Sequence, residues 1–127
     1  MILVAQVRED KKQIGLTNTG QQALTILMTD NRFASESDAY KLGIAYAIAI
    51  DLTPDDAPEG GYGTKFNAAG GLDIDRVIAS LLRVLQIGDP DRPYTAAERL
   101  AEAGICALAK RIEDHESLAD ILEALSE

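Results

Sequence analysis

The run Ala39–Ile50 constrains the fold of this chain more than any other feature. It reads AYKLGIAYAIAI, and Lys41 is its only charged residue. Its apolar residues recur at helical spacing, and the serine and acidic residues at positions 35–38 are typical of a helix start. A helix that is apolar on nearly all sides must be covered on nearly all sides. The two short elements expected before it are too small to do so, whereas a second copy of the same segment could.

The residues before this helix predict a strand and a first helix. Polar and apolar residues alternate over Lys11–Thr17, which is the period of a strand. A helix with one apolar face is expected over Thr19–Thr29. On the predicted strand, one side carries Ile14 and Leu16, and the other carries Gln13, Gly15 and Thr17.

A strand followed by two helices resembles the ribbon-helix-helix family of MetJ- and Arc-like proteins. The similarity lies in the N-terminal third of the chain, within residues 1–52, and includes Ser35-x-Ser37-Asp38-Ala39 at the start of the second helix. In that family two chains pair their strands into an antiparallel ribbon and interlock their helices. The resemblance therefore implies a homodimer or a higher homo-oligomer. Its interface would consist of Ile14, Leu16, Leu27, Tyr40, Ile44, Ala47 and Ile48.

The same resemblance implies a surface for DNA. In ribbon-helix-helix proteins the outward strand side chains enter the major groove, and the start of the second helix meets a backbone phosphate. Glu36 and Asp38 would place negative charge beside that phosphate. The alternative is that the strand and helices only build a dimer. The candidate nucleic-acid-binding residues are Lys11, Lys12, Gln13, Gly15, Thr17, Ser35 and Ser37.

The rest of the chain predicts a loop and a helical extension. Residues 53–71 hold two of the four prolines and five of the ten glycines, which predicts a loop. Three helices are expected within residues 72–127, starting near Asp73, Thr95 and Ser117. Thr95 and Glu98 have the spacing of a capping box, and Gly104 indicates close helix packing. These helices either form an acidic bundle or pack onto the helix Ala39–Ile50.

The expected fold is therefore mainly α. It combines a ribbon-helix-helix-like dimerisation unit of one strand and two helices (residues 1–52), a Gly/Pro-rich loop (53–71) and a C-terminal helical region (72–127).

No group of residues predicts catalysis. In the glycine-rich stretch 58–71, Thr64 precedes Lys65 and no helix follows directly, so the order of a phosphate-binding loop is absent. His115 lies among acidic residues on a predicted turn, where consecutive side chains do not converge on a metal ion. Cys106 has apolar neighbours and is interpreted as a structural residue. We expect no catalytic activity, no cofactor and no metal site.

Charge is distributed unevenly along the chain. The net charge of −9 divides into −1 over residues 1–51, with five basic and six acidic residues, and −8 over the remainder, with seven basic and fifteen acidic residues. An acidic surface repels nucleic acid, so any DNA contact would use the near-neutral N-terminal part. The acidic C-terminal region is a candidate surface for a protein partner.

The cellular location is predicted from the apolar runs and the cysteine content of the chain. No run of apolar residues is long enough to span a membrane. Met1–Val7 is apolar but too short for a secretory signal, and it is expected to form a first strand or a packed arm. With Cys106 as the single cysteine, no internal disulfide can form, so a cytoplasmic location is expected.

The preferred hypothesis is a non-enzymatic, dimeric, DNA-associated regulator or accessory protein of a prokaryotic DNA-modification or defence system. In its length and its apolar second helix, the chain is also similar to the small E subunit of the Dnd DNA phosphorothioation systems. The alternative hypothesis is a protein–protein adaptor or assembly subunit that does not bind nucleic acid.

Overall fold

Helices dominate the structure, a computed structural model that describes residues 9–30 and 33–126. The predicted mainly α class is confirmed. A 3₁₀ turn at Pro54–Asp56 precedes the second strand, and a π-helical turn at Ala68–Leu72 follows it. The segment Met1–Val7, predicted as a strand or packed arm, lies outside the described residues. In chain order the main elements are β1 (Gln13–Ile14), α1 (Asn18–Asp30), α2 (Glu36–Ala49), β2 (Phe66–Asn67), α3 (Val77–Val84), α4 (Pro93–Glu113) and α5 (Leu118–Ala124).

Helix α2 is covered by its own chain, chiefly by α4. The two helices cross where Gly43 faces Gly104, and a Cβ on Gly104 would lie 1.8 Å from the carbonyl oxygen of Gly43. The backbones are therefore in direct contact, which confirms the predicted role of Gly104 in close packing. Of the two arrangements expected for the C-terminal helices, packing onto α2 is the one found. A second copy is not needed to cover α2.

The core draws on all three predicted segments. Leu24 from the N-terminal segment, Ala68 from the predicted loop, and Leu100 and Ile121 from the C-terminal region belong to one cluster of buried residues. Helix α4 joins them because it packs against α1, α2, α3 and α5. The described residues of the three segments therefore share one core.

The predicted loop 53–71 contains a strand that pairs with β1. The pairing is antiparallel, with Ile14 opposite Phe66 and Gln13 opposite Asn67. β1 is thus shorter than the predicted Lys11–Thr17, and its partner comes from the same chain. This corrects the expectation of a ribbon formed with a second copy, because β2 already occupies the strand.

The predicted starts of α2 and α5 are confirmed, and in both helices the N-cap is the residue directly before the helix. Ser35 and Ser117 are the N-caps of α2 and α5, and each hydroxyl oxygen accepts the backbone N–H three residues further on. The next helix begins at Val77, a turn later than the predicted start near Asp73. Of the two predicted acceptors, Asp75 accepts the N–H of Val77 at 3.3 Å, and Asp73 accepts those of Ile78 and Ala79 at 2.9 and 3.0 Å. Short-range hydrogen bonding of this kind can be read from sequence spacing.

The capping box predicted at Thr95 and Glu98 is wrong. Helix α4 begins at Pro93, and the N–H groups of Tyr94 and Thr95 donate to the carboxylate of Asp10 at 2.8 and 2.9 Å. A carboxylate more than eighty residues away in the sequence takes the place of the local cap. Glu98 points instead into the molecule, towards β1.

Candidate functional site

Two buried glutamates of α4 hold three of the residues predicted to contact DNA. Glu98 accepts the N–H of Gly15 at 2.8 Å and forms an ion pair with Lys11. Glu102 accepts the N–H and the hydroxyl of Thr17 at 3.0 and 2.7 Å. The two glutamates are only 2% and 3% exposed, and buried charges are tolerated when they are paired and hydrogen-bonded in this way. We call Glu98 and Glu102 the glutamate clamp.

The glutamate clamp and the segment around β2 satisfy both edges of the strand region. On one edge, the N–H groups of Gly63 and Lys65 donate to the carbonyl oxygens of Leu16 and Ile14 at 2.9 and 3.0 Å. On the other edge, the N–H groups at positions 15 and 17 donate to the clamp. A strand bonded on both edges has no free edge for a second copy.

Gly15 lies inside the molecule and cannot face a DNA base. A Cβ at this position would lie 1.7 Å from the carbonyl oxygen of Gly63. The Tyr40 hydroxyl donates to the Gly15 carbonyl oxygen at 2.9 Å, and the Tyr40 ring packs edge-on against Phe66. Burial, with a contribution from the negative charge of Glu98, raises the pKa of Tyr40 well above its usual value. The hydroxyl therefore remains a donor.

The other residues predicted to contact DNA do not form one basic surface. Lys12 and Gln13 are exposed. The Ser35 hydroxyl is used as the cap of α2, and Ser37 is half-buried. Glu36 between them is paired with Lys65 at 2.8 Å, and this contact lowers the pKa of Glu36.

The residues predicted to form the dimer interface lie in the core of one chain. Helix α4 and the segment around β2 cover most of them, so their apolar surface is largely used within one chain. Six are buried, namely Ile14, Leu16, Leu27, Tyr40, Ile44 and Ala47, and Ile48 is half-buried.

The glycine-rich stretch lines a cavity of about 560 Å³, which is within the size range of ligand pockets. Gly60, Gly61, Glu102 and Cys106 are among the lining residues, which include no lysine, arginine or histidine. Glu102 is already bonded to Thr17. Burial, followed by the negative charge of Glu102, raises the pKa of Cys106 to about 11, so the thiol is neutral at pH 7. The Cys106 thiol donates to the Glu102 carboxylate at 3.6 Å, so the lining holds a neutral thiol beside a carboxylate that is also bonded to Thr17.

His115 lies in an exposed turn after α4, as expected from the sequence. In the part of the chain that the structure describes, no three His, Cys, Asp or Glu side chains are grouped so that they could hold a metal ion. Next to His115, Arg111 donates to both carboxylate oxygens of Glu116 at 2.9 and 2.7 Å, which lowers the pKa of Glu116. These contacts join the last turn of α4 to the turn that follows it.

Helix α3 exposes an apolar surface. Val77 and Val84 are 58% and 79% exposed, and Leu81 and Leu85 are exposed as well. Ile74, in the turn before the helix, is 74% exposed. We call these five residues the α3 face. Single exposed apolar residues need no explanation, whereas a group of this kind is a candidate surface for another molecule.

The opposite side of α3 is fixed firmly to the core. Ala79 and Leu82 are buried. Asp73, itself 1% exposed, accepts the N–H groups of Ile78 and Ala79 in the first turn of the helix and the hydroxyl of Tyr94 at 2.8 Å. At the other end, Arg83 donates to the carbonyl oxygen of Pro90 at 3.0 Å. The α3 face is therefore presented by an anchored helix.

Comparison with known proteins leaves the site to be interpreted from its own geometry. No family model, curated protein or solved structure matches the chain. None of the described helices is long and apolar enough to cross a membrane.

Sequence reasoning found the apolar spacing of α3 but not its exposure. The run Ile74 to Leu85 predicts one apolar stripe, which would ordinarily face a core. In the structure the core side of α3 is built by Ala79 and Leu82, with Ile78 half-buried. The sequence signal for this exposure was that the segment has more large apolar residues than one buried helix face needs.

Proposed function

We propose that this protein is a non-enzymatic assembly subunit, an adaptor that joins protein chains through the α3 face. The observation that supports this role is the exposure of five large apolar side chains on and beside a helix that is anchored to the core. Burying these side chains against a partner would stabilise the complex by about 1.5 kcal/mol or more for each fully covered side chain. Such a surface favours a protein partner over a nucleic acid, because nucleic-acid affinity depends on cations.

Association with DNA stays a prediction, and the contacts at β1 do not support it. Lys11 is paired with Glu98, the Thr17 hydroxyl is bonded to Glu102, and Gly15 is enclosed. To reach DNA, these residues would have to leave the glutamate clamp and expose two buried carboxylates to the phosphates. If the protein is an accessory subunit of a DNA-modification or defence system, it would act there by contacting proteins.

Site-specific photo-crosslinking tests the proposed adaptor role. A benzophenone amino acid is introduced at position 84, on the α3 face, or at position 125, where Leu125 is also an exposed apolar residue. After irradiation in cells, adducts are identified by mass spectrometry. We expect an adduct with a protein chain at position 84 and none at position 125.

Two results would contradict the proposal. One is that position 84 gives no intermolecular adduct, and so behaves in the same way as the control at position 125. The other is an adduct between position 84 and another part of the same molecule, which would mean that the chain covers its own α3 face. A duplex-DNA titration at low salt, with Lys11→Ala/Lys12→Ala for comparison, would separately test the DNA hypothesis.

A further inference from the structure

We infer that the chain bound by the α3 face is a second copy of this protein, with two α3 helices packed antiparallel and Leu81 at the two-fold axis. This inference rests on the proposed function, since it names the partner for the same surface. It moves the expected dimer interface from the buried α2 region to α3. Three features of the described residues support it: the spacing of the apolar residues, the local charge and the exposed area.

The spacing is self-complementary about Leu81. Val77 and Leu85 lie four residues before and after it, and all three side chains are exposed. In an antiparallel pair with Leu81 at the centre, Val77 of one copy lies opposite Leu85 of the other. A two-fold dimer requires one patch that matches itself, and this pattern meets that requirement.

Local charge permits the contact despite the acidic chain. Residues 74–87 contain one acidic residue, Asp75, and two basic residues, Arg76 and Arg83, whereas the whole chain carries a net charge of −9. Most of the negative charge lies after residue 51, so two copies that approach through other parts of the C-terminal region bring excess negative charge together. Through α3 they bring together apolar side chains on a segment that carries only one acidic residue.

The exposed area is sufficient for a weak, reversible dimer. The five side chains of the α3 face offer on the order of 500 Å² of apolar surface, which matches the largest patches found on monomers. Two copies would bury on the order of 1,000 Å², the lower limit for a specific interface. We therefore expect association at micromolar concentrations of the full-length chain.

Sedimentation equilibrium tests the dimer directly. We expect the full-length protein to dissociate from dimer to monomer on dilution, and Leu81→Glu to weaken the dimer at least a hundredfold. Circular dichroism should show that the variant remains folded, since Leu81 is exposed in the single chain. The matched control is Leu125→Glu, directly after α5, which should leave the dimer unchanged. A dimer that Leu81→Glu does not weaken would overturn the inference.

Disulfide trapping tests the antiparallel register. In a Cys106→Ser background, Leu81→Cys should oxidise to a covalent dimer, because two Cα atoms at a two-fold helix crossing can approach within disulfide distance. Val77→Cys mixed with Leu85→Cys should give a mixed dimer more readily than either alone. Equal trapping of Leu125→Cys would overturn the inference.

The same measurements separate this inference from the proposed function. A protein that stays monomeric at high concentration, but gives an adduct with a different protein at position 84, overturns the second copy as partner and leaves the adaptor role in place. A monomer whose position 84 crosslinks to its own residues 1–8 overturns both. The expected result differs from these two, since position 84 should then label a second copy and Leu81→Glu should remove that adduct.

Discussion

At the residue scale, the most informative feature is the glutamate clamp. Two carboxylates are buried, although a buried charge is costly unless hydrogen bonds compensate for it. Glu98 and Glu102 lie one helical turn apart on α4, and each accepts a backbone N–H from the strand region. They replace the neighbouring strand that a sheet edge would otherwise need. These hydrogen bonds give both glutamates a structural role.

Removing one carboxylate should destabilise the fold. Glu98→Ala leaves the N–H of Gly15 without a partner and removes the ion pair of Lys11, which is 37% exposed at its side chain. A buried group left unpaired costs about 1–3 kcal/mol, so we expect the free energy of unfolding to fall by about 2–3 kcal/mol. Urea denaturation followed by circular dichroism measures this change. Glu113→Ala, at an exposed site of the same helix, should change the value by less than about 0.5 kcal/mol. Similar losses in both variants would show that Glu98 has no special role.

The single thiol should be almost unreactive near neutral pH. Burial and the charge of Glu102 raise the pKa of Cys106 to about 11, whereas an unfolded cysteine titrates near 8.5. The thiolate is the reactive form, so at pH 8.5 alkylation by iodoacetamide should be about a hundredfold slower in the folded protein than in urea. The rate should keep rising up to about pH 11. A plateau near pH 9 in the folded state would contradict the shift.

The same pKa shift has a consequence for stability. The folded state keeps the Cys106 proton up to about pH 11, whereas the unfolded chain begins to lose it near pH 8.5. The contribution of this group is therefore fully present below about pH 8.5 and is lost as the pH rises through the window to about 11. Cys106→Ser should reduce the loss of stability in that window.

At the element scale, the crossing of α2 and α4 determines the fold. Gly104→Ala would place a Cβ against the backbone of Gly43, and no side-chain rotation can relieve that contact. Overpacking costs about 1–3 kcal/mol and the gain in helix propensity returns about 1 kcal/mol, so we expect a net loss of up to about 2 kcal/mol. Thermal unfolding monitors the effect. Gly60→Ala is the control, because no atom lies within 4 Å of the added Cβ. An unchanged melting temperature for Gly104→Ala would mean that the helices can separate freely.

The elements show which parts of the fold could be predicted from the sequence. Helix α2, its Ser35 cap and the packing role of Gly104 follow from local spacing, and the structure agrees. β2 could not be predicted, because a two-residue strand has no period of its own and depends on β1, which is more than fifty residues away. The start of α4 was missed for the same reason, since its cap is the distant Asp10.

The surroundings of the candidate DNA-contact residues could not be predicted from the sequence, because burial depends on the whole fold. Lys11, Gly15 and Thr17 have the residue types of an exposed strand, and only the position of α4 brings Glu98 and Glu102 against them. The α3 stripe was visible in the sequence, but the pattern does not say which side faces the core. Both features depend on contacts between distant parts of the chain.

At the scale of the whole molecule, an acidic body carries one apolar surface with few acids around it. The chain has a net charge of −9, so two copies repel each other at long range even when their α3 faces fit. Salt shortens the range of this repulsion, because the Debye length falls from about 30 Å at 0.01 M to about 10 Å at 0.1 M. The apolar contact itself is not weakened by such concentrations of salt.

The dimer should therefore become tighter as salt is added. We expect the dissociation constant, measured by sedimentation at 0.02 and 0.3 M NaCl, to fall several-fold, because screening removes repulsion between like charges. The affinity for DNA would instead fall as salt is added, because binding DNA releases counterions. Lys11→Ala/Lys12→Ala should leave the trend unchanged, whereas Leu81→Glu should abolish the dimer at both concentrations. An association that weakens with salt would indicate a contact between opposite charges, and the α3 face would then not be the surface that joins the chains.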